Sequence, residues 1–192
     1  MAVGIVLLAA GGSKRLGRSK QLLPFRDGTL LSHAARQAKE SKADKVLIVL
    51  GPAEDQCVKQ LDKLDVSSVV NANWRDGMAS SIRAGVAKLA EDRDIDAVLI
   101  MTCDQPHVKH VHLDELIDGF RENHGQLLAT AYDDSFGIPA LFSRQYFNAL
   151  CELQGDSGAK TILRQHLNSL VCIALEEASF DIDTEEDYES LR

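Results

Sequence analysis

The chain has 192 residues, 45% of them apolar and 26% charged, with a formal net charge of −8. That length allows one or two domains and buries roughly 70% of the unfolded surface, so folding requires neither a metal nor a disulfide. The composition excludes a disordered or collagen-like chain, and the acidity excludes a general nucleic-acid binder. The charge is local, however. Residues 176–192 hold eight acids (Glu176, Glu177, Asp181, Asp183, Glu185, Glu186, Asp187 and Glu189) against Arg192, whereas the first 175 residues hold 21 acids and 20 bases.

In chain order, apolar runs alternate with helical spacing. Residues 3–9 read as a buried strand; they lack a preceding basic region and are too short to span a bilayer. Leu30, Leu31, Ala34, Ala35 and Ala38 form a helical stripe, followed by strands over 45–50 and 66–70. Ile82, Val86 and Leu89 mark a second helix, residues 95–102 a buried strand, and Leu113, Leu116, Ile117 and Phe120 a third helix. Residues 127–132 and 170–175 are weaker strands. This alternation predicts one α/β domain over 1–192: three layers, α/β/α, around a mainly parallel twisted sheet. Cys57, Cys103, Cys151 and Cys172 include no Cys-x-x-Cys pair, which fits buried thiols in a reducing cytosol. A soluble cytoplasmic protein with no membrane partner is expected.

Ligands of such sheets collect beyond the carboxyl ends of the strands. After the first strand, residues 11–26 carry Lys14, Arg15, Arg18, Lys20 and Arg26 and no acid. Ala10, Gly11 and Gly12 let backbone N–H groups approach an anion, and the bases supply charge for a triphosphate. A solvated basic turn is the plain alternative. Residues 12–19 are also one substitution from a P-loop, with Arg18 where lysine belongs. Pro24 would then fall inside the helix that a P-loop opens, at a cost of about 3 kcal/mol.

Residues 98–104 deliver Asp104 at the end of a buried strand, where it either caps a turn or, opposite a triphosphate, binds Mg²⁺. In Phe180-Asp-Ile-Asp183, alternation puts Asp181 and Asp183 on one side. Thr184 to Asp187 reads as a capping box, which assigns Glu185, Glu186, Asp187 and Glu189 to a helix start. His107, His110 and His112 lack a helical i, i+4 pair and read as a loop entering a helix rather than a metal site. Trp74 and Met78 read as packing residues before a helix, and Ser157 as an N-cap in the turn 155–158.

Leu8-Ala-Ala-Gly-Gly-Ser-x-Arg15-x-Gly17-x-x-Lys20 with Leu23-Pro24 resembles the signature of the MobA-like nucleotidyltransferases. These include the molybdenum-cofactor cytidylyl- and guanylyltransferases. Asn73-x-x-x-Gly77-Met-x-Ser-Ser81, Asp104-Gln-Pro106, Gly155-Asp-Ser-Gly-Ala159 and Asp181-Ile-Asp-Thr-x-Glu-Asp-Tyr188 follow in the family's order. The resemblance implies a nucleotide-diphospho-sugar transferase fold and transfer of a nucleotidyl group with release of pyrophosphate. It makes Lys20, Arg15 and Asp104 catalytic, and Leu8, Ala9, Ala10, Gly11, Gly12, Lys20, Asn73, Gly77 and Ser81 nucleotide-binding. Asp104, Asp183 and Asp181 become ligands of Mg²⁺. The turn 155–158 falls on the acceptor side, and residues 136–140 could line that pocket.

Ala10 favours CTP, because the guanylyl enzymes typically carry glycine there. The implied acceptor is molybdopterin, and the implied protein partner a molybdoenzyme or its maturation factor. Two alternatives stay open: another phosphorylated acceptor such as a sugar or polyol phosphate, and a non-catalytic molybdenum-cofactor carrier. Lys20, Asp104 and Asp183 together speak against a carrier.

Overall fold

A computed structural model describes residues 1–12, 16–51, 53–122, 127–132 and 135–191. The strands are β1 (Ala2–Ala9), β2 (Pro24–Phe25), β3 (Gly28–Thr29), β4 (Lys45–Leu50), β5 (Ser67–Val70), β6 (Ile95–Thr102), β7 (Leu127–Tyr132), β8 (Ser135–Ser143) and β9 (Leu170–Ala174). The helices are α1 (Leu30–Glu40), α2 (Glu54–Leu61), α3 (Met78–Ala90), α4 (His110–Glu122), α5 (Phe147–Cys151), α6 (Lys160–Gln165) and α7 (Glu185–Glu189). Seven strands form one sheet in the order β5-β4-β1-β6-β8-β7-β9, and β2 pairs with β3 in a small hairpin. β8 alone runs against its neighbours; β5, β4, β1 and β6 are mutually parallel, as are β7 and β9. The fold is the α/β, Rossmann-like architecture expected from the alternation of elements.

Successive residues of a strand face opposite sides of a sheet, so a strand covered on both faces is apolar throughout. β1 shows this directly. Ile5 and Leu7 pack with Leu31 and Ala35 of α1, Cys57 and Leu61 of α2, and Leu113 and Phe120 of α4. Val6 and Leu8 pack on the other face with Ile82 and Val86 of α3, Leu150 of α5 and Leu163 of α6. Each fully buried Leu, Ile or Phe side chain contributes roughly 1.5–3 kcal/mol. The outer helices therefore hold the carboxyl ends of β1 and β6 side by side.

Residues 136–140, for which the sequence suggests no strand, lie within β8. Pro139 cannot donate to a ladder and argues against a central strand. The sheet accommodates it with a register shift between Ala129 and Thr130, so that Ala129 opposes Ala140 and Thr130 opposes Gly137. The Thr130 hydroxyl donates to the Pro139 carbonyl at 2.7 Å.

A third, smaller cluster joins distant parts of the chain: Leu23 and Leu30 pack against Ile182 and Tyr188. The Tyr188 hydroxyl donates to the Pro24 carbonyl at 2.7 Å, and Thr184 and Asp187 form the capping box that starts α7. The acidic C-terminal segment is thereby folded back onto the loop that follows β1.

Candidate active site

The carboxyl ends of β1 and β6 open into a cleft of about 880 Å³. Its floor on the β1 side is Leu8, Ala9, Ala10, Gly11 and Gly12; on the β6 side it is Thr102, Cys103, Asp104 and Gln105. Trp74, Gly77, Met78 and Ser81 form one wall, and Tyr132, Ile138, Asp181 and Asp183 line the cleft as well. Of the candidate nucleotide-binding residues, Leu8, Ala9, Ala10, Gly11, Gly12, Lys20, Gly77 and Ser81 are therefore brought together. Arg15, with Ser13 and Lys14, lies outside the described residues.

Lys20 begins a short 3₁₀ turn, and its side chain passes into the gap between β6 and the C-terminal segment. Its Nζ donates to Asp104 Oδ2 at 2.7 Å, to the Ile182 carbonyl at 2.9 Å and to Asp183 Oδ1 at 3.0 Å. Burial alone would lower the Lys20 pKa. The charge of Asp104 and its hydrogen bond, followed by those of Asp183, carry it above its ordinary value. Lys20 is a cation here. The Ile182 amide donates to the Asp104 carbonyl at 3.0 Å, which holds the 181–183 segment in line with the end of β6.

The third carboxylate is not compensated to the same degree. Burial, then the charges of Asp104 and Asp183, push the Asp181 carboxyl up to about 7. Gln105 sits beneath it, buried, and donates to the Ala178 carbonyl at 2.9 Å and the Ile138 carbonyl at 3.2 Å. One amide thus ties the C-terminal segment to β8 and to the end of β6. Gln21 does the equivalent for the first loop: its Nε2 donates to the carbonyls of Ala9 at 2.9 Å and Gly11 at 2.7 Å. The sequence assigns neither glutamine a role, although each directly follows a candidate site residue, Lys20 or Asp104.

At the α3 wall the candidates separate. Asn73 is exposed and does not line the cleft. Asn71 does the local work: it is buried and donates to Ser80 Oγ at 2.8 Å and Ser81 Oγ at 2.9 Å, while its Oδ1 accepts from the Asn73 amide. Asn73 matches the family spacing and lies beside this buried group, joined to it through its backbone amide. Gly77 has φ +96°, and a Cβ there would run into the Gly155 carbonyl and Asp156. That carbonyl also accepts from the Ala79 amide at 3.1 Å. The 155–158 turn therefore packs on the first turn of α3, and Asp156 joins the cleft wall beside Gly77 and Met78.

Other local readings change. Ser157 is not an N-cap, since α6 starts after Ala159. Trp74 and Met78 line the cleft, and Trp74 also packs against the core; Gly12 leaves room for the Trp74 ring, which a Cβ would meet at 2.7 Å. The histidines point to separate partners: His107 lies 5.3 Å from the Phe180 ring, His110 pairs with Gln37 and Glu40, and His112 accepts from the Lys109 amide.

Comparison with known proteins agrees with this geometry. Residues 5–170 match the family described as the MobA-like NTP transferase domain. Nicotine blue oxidoreductase of Paenarthrobacter nicotinovorans is 33% identical over 94% of this chain and 92% of its own. Purine catabolism protein PucB of Bacillus subtilis (strain 168) is 28% identical over 97% and 94%. The crystal structure of Rv0371c from Mycobacterium tuberculosis H37Rv superimposes with a TM-score of 0.88 at 30% identity, covering 100% of this chain and 97% of that one. A complex of Rv0371c with manganese gives 0.82 at 27%, covering 100% and 98%. The protein belongs to the MobA-like NTP transferase family and is a nucleotidyltransferase by fold and by family.

Proposed function

We propose that the protein, as a single catalytic unit over 1–192, is a CTP:molybdopterin cytidylyltransferase acting in the cytoplasm. The observation that carries this reading is the convergence of Lys20, Asp104 and Asp183 at the mouth of the loop 8–12. A phosphate oxygen of the acceptor attacks the α-phosphorus of the nucleotide. The bond to the β-phosphate oxygen breaks and pyrophosphate leaves. Negative charge grows on the α-phosphoryl oxygens, where the Lys20 ammonium, the loop amides and the Arg15 guanidinium stabilise it. The acceptor is already an anion, so no strong general base is needed. Gln21 holds the loop carbonyls away from the phosphates, and Asn71 holds the Ser80 and Ser81 hydroxyls at the cleft wall.

The residues fit a divalent cation, Mg²⁺ in this reading. Among the described residues Asp104 Oδ1 is buried without a hydrogen-bond partner, and burial beside Asp104 and Asp183 disfavours the charged form of Asp181, a penalty that a bound cation would relieve. Carboxylate oxygens are the hard donors such an ion takes. Asp104, Asp183 and Asp181 would hold it together with oxygens of the nucleotide, and when bound it would polarise phosphoryl oxygens as a Lewis acid. CTP is favoured by Ala10, and the acceptor by the family resemblance; a molybdoenzyme or its maturation factor would receive the product. A sugar or polyol phosphate remains an alternative acceptor. Retention of Lys20, Asp104 and Asp183 argues against a carrier without activity.

A second reading rests on the 33%-identical relative named nicotine blue oxidoreductase: oxidation or reduction of nicotine blue. Two assays separate the readings. Pyrophosphate release is measured with CTP, GTP or ATP, Mg²⁺ and molybdopterin, and colour loss of nicotine blue is followed with NADH or NADPH. Release with CTP supports transfer. No release with any nucleotide, together with turnover of the dye, supports the second reading.

A further inference from the structure

Lys20 Nζ sits within 3.0 Å of three oxygens from two separate segments: Asp104 Oδ2, Asp183 Oδ1 and the carbonyl of Ile182. That is the surrounding a small cation takes, and the ammonium supplies the charge. Its side chain is only 15% exposed, so water screens this arrangement weakly. Among the described residues no three His, Cys, Asp or Glu side chains are grouped so as to hold a metal ion by themselves. A metal entering here needs further oxygens, and it must displace Lys20.

We propose that Lys20 holds the cation position while the cleft lacks nucleotide, so that the site takes a metal–triphosphate chelate as its ligand and discriminates against the free metal. This rests on the reading of Asp104 and Asp183 as metal ligands. A free dication that displaced Lys20 would strand a buried ammonium beside it, with three hydrogen bonds lost and like charges adjacent. A chelate brings both requirements at once. Its phosphate oxygens complete the ligand set, as magnesium sites built on one or two carboxylates require. The same phosphates accept the hydrogen bonds that Lys20 gives up. Lys20 moves from carboxylate to phosphate, and metal and nucleotide each raise the affinity for the other by one shared factor.

The acids of the cleft point the same way. Asp104, Asp156, Asp181 and Asp183 face it, against Lys20 and Arg75 among the described residues. Among these described residues an unchelated triphosphate would meet more acids than bases. The chelate arrives with much of its own charge neutralised.

The test is Mn²⁺ binding followed by electron paramagnetic resonance on the full chain, for wild type, Lys20→Met and Asp104→Asn. Each is measured with and without α,β-methylene-CTP, corrected for Mn²⁺ held by nucleotide in solution. In wild type, the nucleotide analogue is expected to tighten Mn²⁺ binding by about five- to 150-fold, the usual span of coupling between sites. Lys20→Met is expected to bind Mn²⁺ at least tenfold more tightly than wild type without nucleotide, and Asp104→Asn to lose the site. The wild-type arm needs no variant and stands if Lys20→Met fails to fold. Mn²⁺ binding that the analogue leaves unchanged in wild type, or that Lys20→Met fails to tighten, overturns the proposal while the metal assignment survives. Absence of Mn²⁺ binding in every arm overturns the metal assignment itself, and this proposal with it.

Discussion

Lys20 and Asp104, 84 positions apart, meet at 2.7 Å where the loop after β1 faces the end of β6. Neither residue could reach the other without the adjacency of β1 and β6 in the parallel sheet. Asp183, from the far end of the chain, closes the group at 3.0 Å. The catalytic account depends on this triangle, and the first prediction addresses it.

Asp104→Asn keeps the shape of the side chain and removes its charge. Nucleotidyl transfer is expected to fall by about 10²–10³, the usual cost of losing one electrostatic element of a transition-state site. Thermal unfolding should remain cooperative. Pyrophosphate release and circular dichroism on the same preparation check the two halves of this expectation.

Gly77→Ala tests the wall of the cleft. The position requires φ +96°, and the added Cβ would clash with the Gly155 carbonyl that caps the Ala79 amide. A cost of about 1–3 kcal/mol is expected from the strained backbone. Nucleotide affinity should weaken as well. Urea denaturation measures the first and equilibrium dialysis with CTP the second.

Tyr188→Phe tests how firmly the acidic segment is held. The variant keeps the packed ring but loses the hydrogen bond to Pro24, worth about 0.5–1.5 kcal/mol. Amide hydrogen exchange should quicken across 181–191 more than in α3. Equal protection of 181–191 in the variant and wild type would show that the hydroxyl does not anchor the segment.

His33 supplies a pH dependence. Its Nε2 faces the Pro106 carbonyl, which can only accept, so that nitrogen carries the proton. Burial first, then the nearby Arg26 charge, lowers the His33 pKa below its ordinary 6.5. The native state then binds fewer protons than the unfolded chain over the interval between the two values, so stability falls as pH drops below about 6.5. His33→Gln retains a donor and should flatten the stability profile below pH 6.5, as measured by chemical denaturation.

Much of this architecture is legible in the sequence because burial on two faces leaves an unbroken apolar run. β1, β4 and β6 announce themselves that way, β7 and β9 more weakly, and α1, α3 and α4 by their stripes. β8 does not, because Gly137 and Pro139 interrupt its pattern and the compensation lies in its partner, β7. α2, α5 and α6 are only eight, five and six residues long, too short for a clear stripe. In the site, Lys20, Asp104 and Asp183 stand out because charged residues at strand ends have few structural roles. Gln21, Gln105 and Asn71 act through neutral amides on backbone carbonyls and hydroxyls. Residues of that kind carry no chemical signature until the chain has folded. Asn73 is exposed beside the cleft, two positions from the buried Asn71.

The net charge of −8 takes on a specific meaning in the folded chain. Asp181 and Asp183 belong to the cleft, and Asp187 caps α7. The acidic end is therefore part of the proposed catalytic apparatus rather than a property of the general surface.

The central claim is transfer of a nucleotidyl group, and its most direct measurement follows the α-phosphate. CTP labelled with ³²P at that position is incubated with the protein, Mg²⁺ and molybdopterin, and label in the acceptor is counted against pyrophosphate released. The account predicts equal amounts of the two, lost together in Asp104→Asn. Label that remains with free nucleotide, with CTP, GTP and ATP alike, would contradict it.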